Sequence, residues 1–156
     1  MFEPALNLLS EKIRYNRLRL TRQRRIIYEE LSKVNTHPKA EEIFALVQNR
    51  IPQISFGTVY RNLKVLKELG LISEDKFGHN YSHFDANVMP HHHFTCVKCD
   101  QVFDVEDNRE LNLERVQFPV SGFRVEYSRV EFYGRCPKCQ EQLAGAQGGR
   151  YGSQSR

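Results

Sequence analysis

Two Cys-x-x-Cys knuckles, Cys96-Val97-Lys98-Cys99 and Cys136-Pro137-Lys138-Cys139, use every cysteine of this 156-residue chain. Four soft thiolates in two close pairs suit a closed tetrahedral zinc site; the alternative with the same residues is two disulfides. The chain begins Met1-Phe2-Glu3 without a signal-peptide pattern and has no long apolar run. We therefore expect a cytoplasmic protein with no membrane partner, in a reducing compartment where disulfides are uncommon and zinc is favoured. The separation of Cys99 from Cys136 is longer than in a compact zinc ribbon, so each knuckle must close its own hairpin or strand end. A structural zinc of this kind contributes roughly 10–16 kcal/mol at neutral pH, enough to decide whether a small domain folds.

Beside the first knuckle lies a different ligand chemistry. Asp85, His91, His93 and Asp104 offer nitrogen and oxygen donors within about twenty residues, harder ligands suited to an exchangeable ion such as iron, manganese or zinc. The thiolate set reads as structural and the nitrogen and oxygen set as regulatory.

Charge divides the chain. Residues 1–78 hold 14 Lys+Arg against 9 Asp+Glu, and residues 79–156 hold 9 against 10. The basic half concentrates its charge in Lys12, Arg14, Arg17, Arg19, Arg22, Arg24 and Arg25, with no acid between Glu11 and Glu29. Such a run is commonly a solvated face; the elements that follow it point to nucleic acid. Hydrophobic periodicity predicts helices over Ala5–Arg17, from a cap at Thr21 to about Val34, over Lys39–Asn49, and over Gly57–Leu69 with Ser55 as cap and Gly70 as stop. Strands over Leu71–Glu74 and Asn80–Phe84 then make a hairpin. This order is that of a winged helix-turn-helix, in which the last helix enters the major groove. Beyond the first knuckle, a strand over Gln101–Val105, a helix over Arg109–Phe118 and a long strand over Phe123–Tyr133 are expected. They make a small α/β domain whose exposed sheet edge suits pairing with a second copy. Overall the class is α+β. The Gly-, Gln- and Ser-rich residues 141–156 read as a disordered tail.

The motifs LRLTRQRRIIYEEL, THPKAEEIF, SFGTVYRNLKVLKELGLI, HFDANVMPHHHFTC and FYGRCPKC resemble the ferric uptake regulator family of metal-dependent repressors, over essentially all of residues 10–140. The resemblance implies a DNA-binding domain over residues 1–84, a hinge over 85–90 and a dimerisation and metal-binding domain over 91–140. It implies structural zinc on Cys96, Cys99, Cys136 and Cys139, and a regulatory ferrous or manganous ion on His37, Asp85, His91, His93 and Asp104. For a double-stranded operator it points to Tyr60, Arg61 and Asn62 on the recognition helix, Arg19 at the minor groove and Lys64 at phosphate. Within the family, Asp104 matches the peroxide-sensing branch, where the iron-uptake branch usually carries Glu. Ser128 stands where that branch often has a further histidine ligand, and His92 where it tends to place an acid.

The peroxide-sensing resemblance implies a repressor that releases DNA when iron-catalysed oxidation modifies His37 or His91. The alternative is an iron-responsive repressor that reads ferrous ion alone. A non-haem iron oxygenase would also use two His and a carboxylate, but five candidate ligands fill the shell and the basic half would then have no purpose. We expect no enzyme, and one ion per chain makes a poor store. His79 and His83 read as surface or hinge residues.

Overall fold

The structure, a computed structural model, describes residues 2–77, 81–105, 122–124 and 126–147. The chain divides into two compact units, Met1–Pro90 and His91–Arg156. The segment expected as a hinge lies in the first of them, and its leading residue, Asp85, ends a strand.

Four helices and a hairpin build the first unit: α1 (Phe2–Tyr15), α2 (Arg22–Leu31), α3 (Ala40–Gln48), α4 (Phe56–Glu68), β1 (Ser73–Asp75) and β2 (His83–Asp85). Local chemistry sets the helix ends. The Thr21 hydroxyl oxygen accepts the Arg24 amide at 3.2 Å, and the Ser55 hydroxyl oxygen accepts the Thr58 amide at the same distance. Each satisfies one orphan donor of a first turn. At the far end of α4, Gly70 takes φ +64°, and the amides of Gly70 and Leu71 turn back to the carbonyls of Lys67 and Leu66. That pair of bonds is the Schellman stop, and glycine takes its left-handed residue without steric cost.

Apolar residues recurring every three to four positions become the core. Leu9 and Ile13 of α1, Ile27 and Leu31 of α2, Ile43 and Val47 of α3, and Val59, Leu63 and Leu66 of α4 are all buried together, with Leu71 and Phe84 beside them. Arg50, just past α3, donates to Glu29 at 2.6 Å and to Glu30 at 2.9 Å, fastening that turn to α2. Lys67 of α4 reaches Glu74 of β1 at 2.6 Å and ties the hairpin to the helix. β1 and β2 run antiparallel with Ser73 opposite Asp85. β1 starts two residues later than expected, because Leu71 and Ile72 remain in the helical core, and β2 starts three residues later, at His83.

Among the described residues of the second unit, β3 (His92–Cys96) is the central strand of a three-stranded sheet. β4 (Val102–Val105) pairs with it antiparallel, and β5 (Glu131–Gly134) pairs with it parallel. Helix α5 (Pro137–Gln147) follows. Two expectations change here. The long strand over Phe123–Tyr133 begins only at Glu131, where pairing with β3 starts. The tail expected to be disordered from Glu141 is helical to Gln147, since α5 starts at Pro137, whose missing amide and fixed φ suit a first helical position. The helix expected over Arg109–Phe118 lies outside the described residues, as do His79 and residues 148–156.

Leu63→Ala should cost about 2–5 kcal/mol by opening a cavity in the helical core, and Ser55→Ala about 1 kcal/mol by removing a cap. Arg61→Ala, on the exposed face of the same helix, should leave the urea midpoint almost unchanged. Burial raises the carboxyl pKa of Glu29 and Glu30, but hydrogen bonds from Arg50, Arg25 and Lys33 outweigh it and hold both below the ordinary 4.5. Their contribution is therefore present above that value and is lost as pH falls through the depressed one. Arg50→Met should destabilise at pH 7 by about 0.2–1 kcal/mol per partly exposed pair and by much less at pH 2. An equal loss at both pH values would show that the arginine acts through packing.

Candidate metal centres

Strand β3 sorts the second unit's ligands by face. Side chains alternate along a strand, so His93 belongs to one face of β3 while Phe94 and Cys96 belong to the other. The antiparallel register sets His93 opposite Asp104 and Phe94 opposite Phe103. Parallel pairing then places Cys96 opposite Gly134 and binds the Val97 amide to the Gly134 carbonyl at 2.7 Å. Two parallel strands thus end side by side, and each runs directly into a Cys-x-x-Cys knuckle.

At the first knuckle the chain turns back into β4 through Asp100, at φ +61°, whose amide donates to the Cys96 carbonyl at 2.8 Å. Aspartate is among the side chains that tolerate this left-handed conformation. The second knuckle is the N-terminal turn of α5, closed by the Cys139 and Gln140 amides on the Cys136 carbonyl. No cysteine is in a disulfide. The four Sγ atoms all lie within 4.8 Å of one another, and those of Cys99 and Cys136 are 3.8 Å apart. Sulfurs held about 2.3 Å from one tetrahedral ion would be separated by about 3.8 Å, so the cluster has zinc dimensions, well beyond the S–S bond of about 2.05 Å. The Cys136 amide points at the Cys96 sulfur from 3.3 Å. Burial raises the Cys96 pKa, but this amide and those of Lys98 and Cys99 prevail and pull it to about 6. Burial and the neighbouring sulfurs push Cys139 to about 12. A divalent cation held among them would stabilise negative charge on all four sulfurs.

On the other chemistry, His91 Nε2 lies 3.0 Å from Asp104 Oδ1, and the His91 and His93 rings are 4.3 Å apart between centroids. His93 is buried, His91 half-buried and Asp104 exposed. In the first unit, buried His37 sits on the α2–α3 connection with Nδ1 3.9 Å from Asp85 Oδ2. Nitrogen and oxygen ligands at about 2.0–2.2 Å from a shared ion lie about 3 to 4.3 Å apart, a range that holds both separations. Within the first unit His37 and Asp85 thus stand at the separation of shared ligands, and within the second His91 and Asp104 do.

Two histidines differ from their sequence reading. His83 is only 2% exposed, and its Nδ1 lies 2.6 Å from the His37 carbonyl oxygen; it is neither a surface residue nor a hinge. The signal was its position two residues before Asp85, on the same face of β2. His92, for which no role is expected, is buried and accepts the Val130 amide on Nδ1 at 3.2 Å.

Of the expected DNA contacts, Tyr60, Arg61 and Lys64 are exposed on α4. Asn62 is half-buried and donates to the Thr58 carbonyl of its own helix at 2.8 Å. Arg19 is exposed on the α1–α2 connection, its carbonyl accepting the Arg24 guanidinium at 2.6 Å.

Cys136→Ser should abolish stoichiometric zinc and remove the cooperative unfolding of the second unit, while the helical signal of the first persists. Metal analysis with denaturant titration checks this; a variant that unfolds like wild type without zinc would show that the metal is dispensable for folding.

The sequence matches the profile of the Ferric uptake regulator family over residues 15–133. It is 35% identical over 125 residues to the Peroxide-responsive repressor PerR of Staphylococcus aureus (strain Mu50 / ATCC 700699), covering 80% of this chain and 84% of that one. The fold is shared with the Helicobacter pylori ferric uptake regulator Fur, at TM-score 0.72 and 22% identity, over 90% of this chain and 94% of the other. A zinc-bound manganese uptake regulator superposes at TM-score 0.69 and 27% identity, over 85% and 98% of the two chains. With its profile spanning both compact units and the two knuckles' strands in register, the chain belongs to the ferric uptake regulator family.

Proposed function

We propose that the protein is a metal-dependent, DNA-binding transcriptional repressor that senses hydrogen peroxide. The coarser part follows from the family: its members are regulators of transcription, not enzymes. The observation that carries the finer part is the all-nitrogen-and-oxygen ligand chemistry around the His93–Asp104 pair, together with the similarity to a peroxide-responsive repressor.

In this reading Cys96, Cys99, Cys136 and Cys139 hold zinc permanently and brace β3, β5 and α5. His37, Asp85, His91, His93 and Asp104 serve one regulatory ferrous or manganous ion. Ligation of a single ion by residues of both units favours one arrangement of the DNA-reading heads in a homodimer, so metal affinity and operator affinity are linked. Tyr60 and Arg61 face base edges, an arginine–guanine pair being worth about 1–3 kcal/mol of discrimination; Arg19 and Lys64 contribute the salt-dependent backbone attraction. Among the described residues no helix is long and apolar enough to cross a membrane, and we place the protein in the cytoplasm with its operator.

Bound ferrous iron would supply the chemistry that activates peroxide. His37 and His91 then present imidazole carbons to the oxidant: overall, one peroxide oxygen enters a ring C–H bond and the other leaves as water. An oxidised ring is a poorer ligand, so the linked arrangement loosens and DNA is released. Cysteine is the weaker sensor here, because thiolates committed to zinc are protected.

Zinc-replete protein loaded without oxygen with ferrous ion should release operator DNA after a small peroxide dose, with one added oxygen on His37 or His91 by peptide mapping. The manganese form should keep its DNA. Retention by both forms, with unmodified histidines, would instead establish an iron-responsive repressor.

A further inference from the structure

We infer that His83 is a positioning residue for His37, a role that rests on His37 being a metal ligand. The connection between α2 and α3 carries His37, and β2 carries Asp85. Three backbone or ring contacts stitch these segments together. The Phe84 amide donates to the Pro38 carbonyl at 3.0 Å, Lys39 and His83 form an isolated antiparallel bridge, and His83 Nδ1 meets the His37 carbonyl oxygen at 2.6 Å. Against a carbonyl the ring nitrogen must be the donor, so the contact fixes His83 with its proton on Nδ1.

The alternation of β2 puts His83 and Asp85 on one face. His83 therefore grips the main chain of His37 from the face on which Asp85 approaches its side chain, at 3.9 Å. Phe77 closes the assembly: its ring lies edge-on to His37 at 5.4 Å and to His83 at 5.8 Å between centroids. Tyr81 packs on His83 at 5.3 Å and is itself capped by the Lys39 ammonium 3.7 Å above its ring. A ligand whose backbone is pinned this way need not be ordered when metal arrives, and that saving appears as affinity. The aromatic wedge and the hydrogen bond come from the wing hairpin, so the hairpin sets the metal ligand's pose as well as shaping the DNA-facing module.

The discriminating variants are His83→Asn, whose amide nitrogen falls near Nδ1 and can still donate to the His37 carbonyl, and His83→Gln, whose amide nitrogen falls near Nε2 and cannot. Manganese affinity of full-length, zinc-replete protein is measured by loss of the free-ion resonance signal, with thermal unfolding as the control for folding. Partners of this kind typically change metal affinity 10–100-fold, so the Gln variant should weaken by about that factor and the Asn variant by no more than about threefold. Should Asn and Gln bind manganese equally, whether as wild type or equally impaired, the positioning role fails. His37→Ala separates the two readings: if it leaves manganese affinity unchanged, the ligand assignment falls, and the role of His83 with it.

Discussion

The alternation of side chains along β3 is the constraint on which the second unit depends. A strand has two faces, and this one uses them for different chemistry. The His93–Asp104 pair belongs to one, and the Phe94–Phe103 pair and Cys96 to the other. A shift of one residue in the pairing with β4 would move every ligand to the wrong side. The parallel pairing with β5 is as exacting, because the two knuckles meet only if Cys96 and Gly134 come level. A Cβ at Gly134 would lie 3.1 Å from the Phe94 ring, a tight contact to which the ring would have to yield by a few tenths of an ångström.

In the first unit the equivalent constraint is the helical core. Leu63 and Leu66 fix α4 by its inner face, which leaves Tyr60, Arg61 and Lys64 turned outward. The exposed residues are thus placed by what their helix buries. The same core fixes the hairpin through Phe84, and the hairpin brings Asp85 and His83 against the α2–α3 connection. A ligand pair far apart in sequence is in this way a product of apolar packing.

The two metal chemistries also divide labour. A cluster of four thiolates, three of them buried, suits an ion that stays. Imidazoles and carboxylates, some buried and some half-exposed, suit an ion that exchanges and whose reactivity reaches its own ligands. In the second unit the His93–Asp104 pair and Cys96 lie on opposite faces of β3, which keeps the two chemistries apart.

Much of this was legible in the sequence. The cysteine spacing named the zinc chemistry, the 3.6-residue periods located four helices, and Thr21, Ser55 and Gly70 marked their ends, because caps and helix stops are local chemistry. The family motifs pointed to His37, Asp85, His91, His93 and Asp104 as hard ligands. What the chain could not reveal locally was decided by pairing and packing. The strand ending in the second knuckle begins at Glu131, since only there does β3 offer a partner. The helix at Pro137 extends past Glu141, where composition alone read disorder. His83 became a buried anchor because tertiary packing laid β2 against residues 37–39. Sequence determined which ligands exist and which local elements hold them; tertiary structure decided which side chains share a face, because registers and interior contacts join residues that no local period connects.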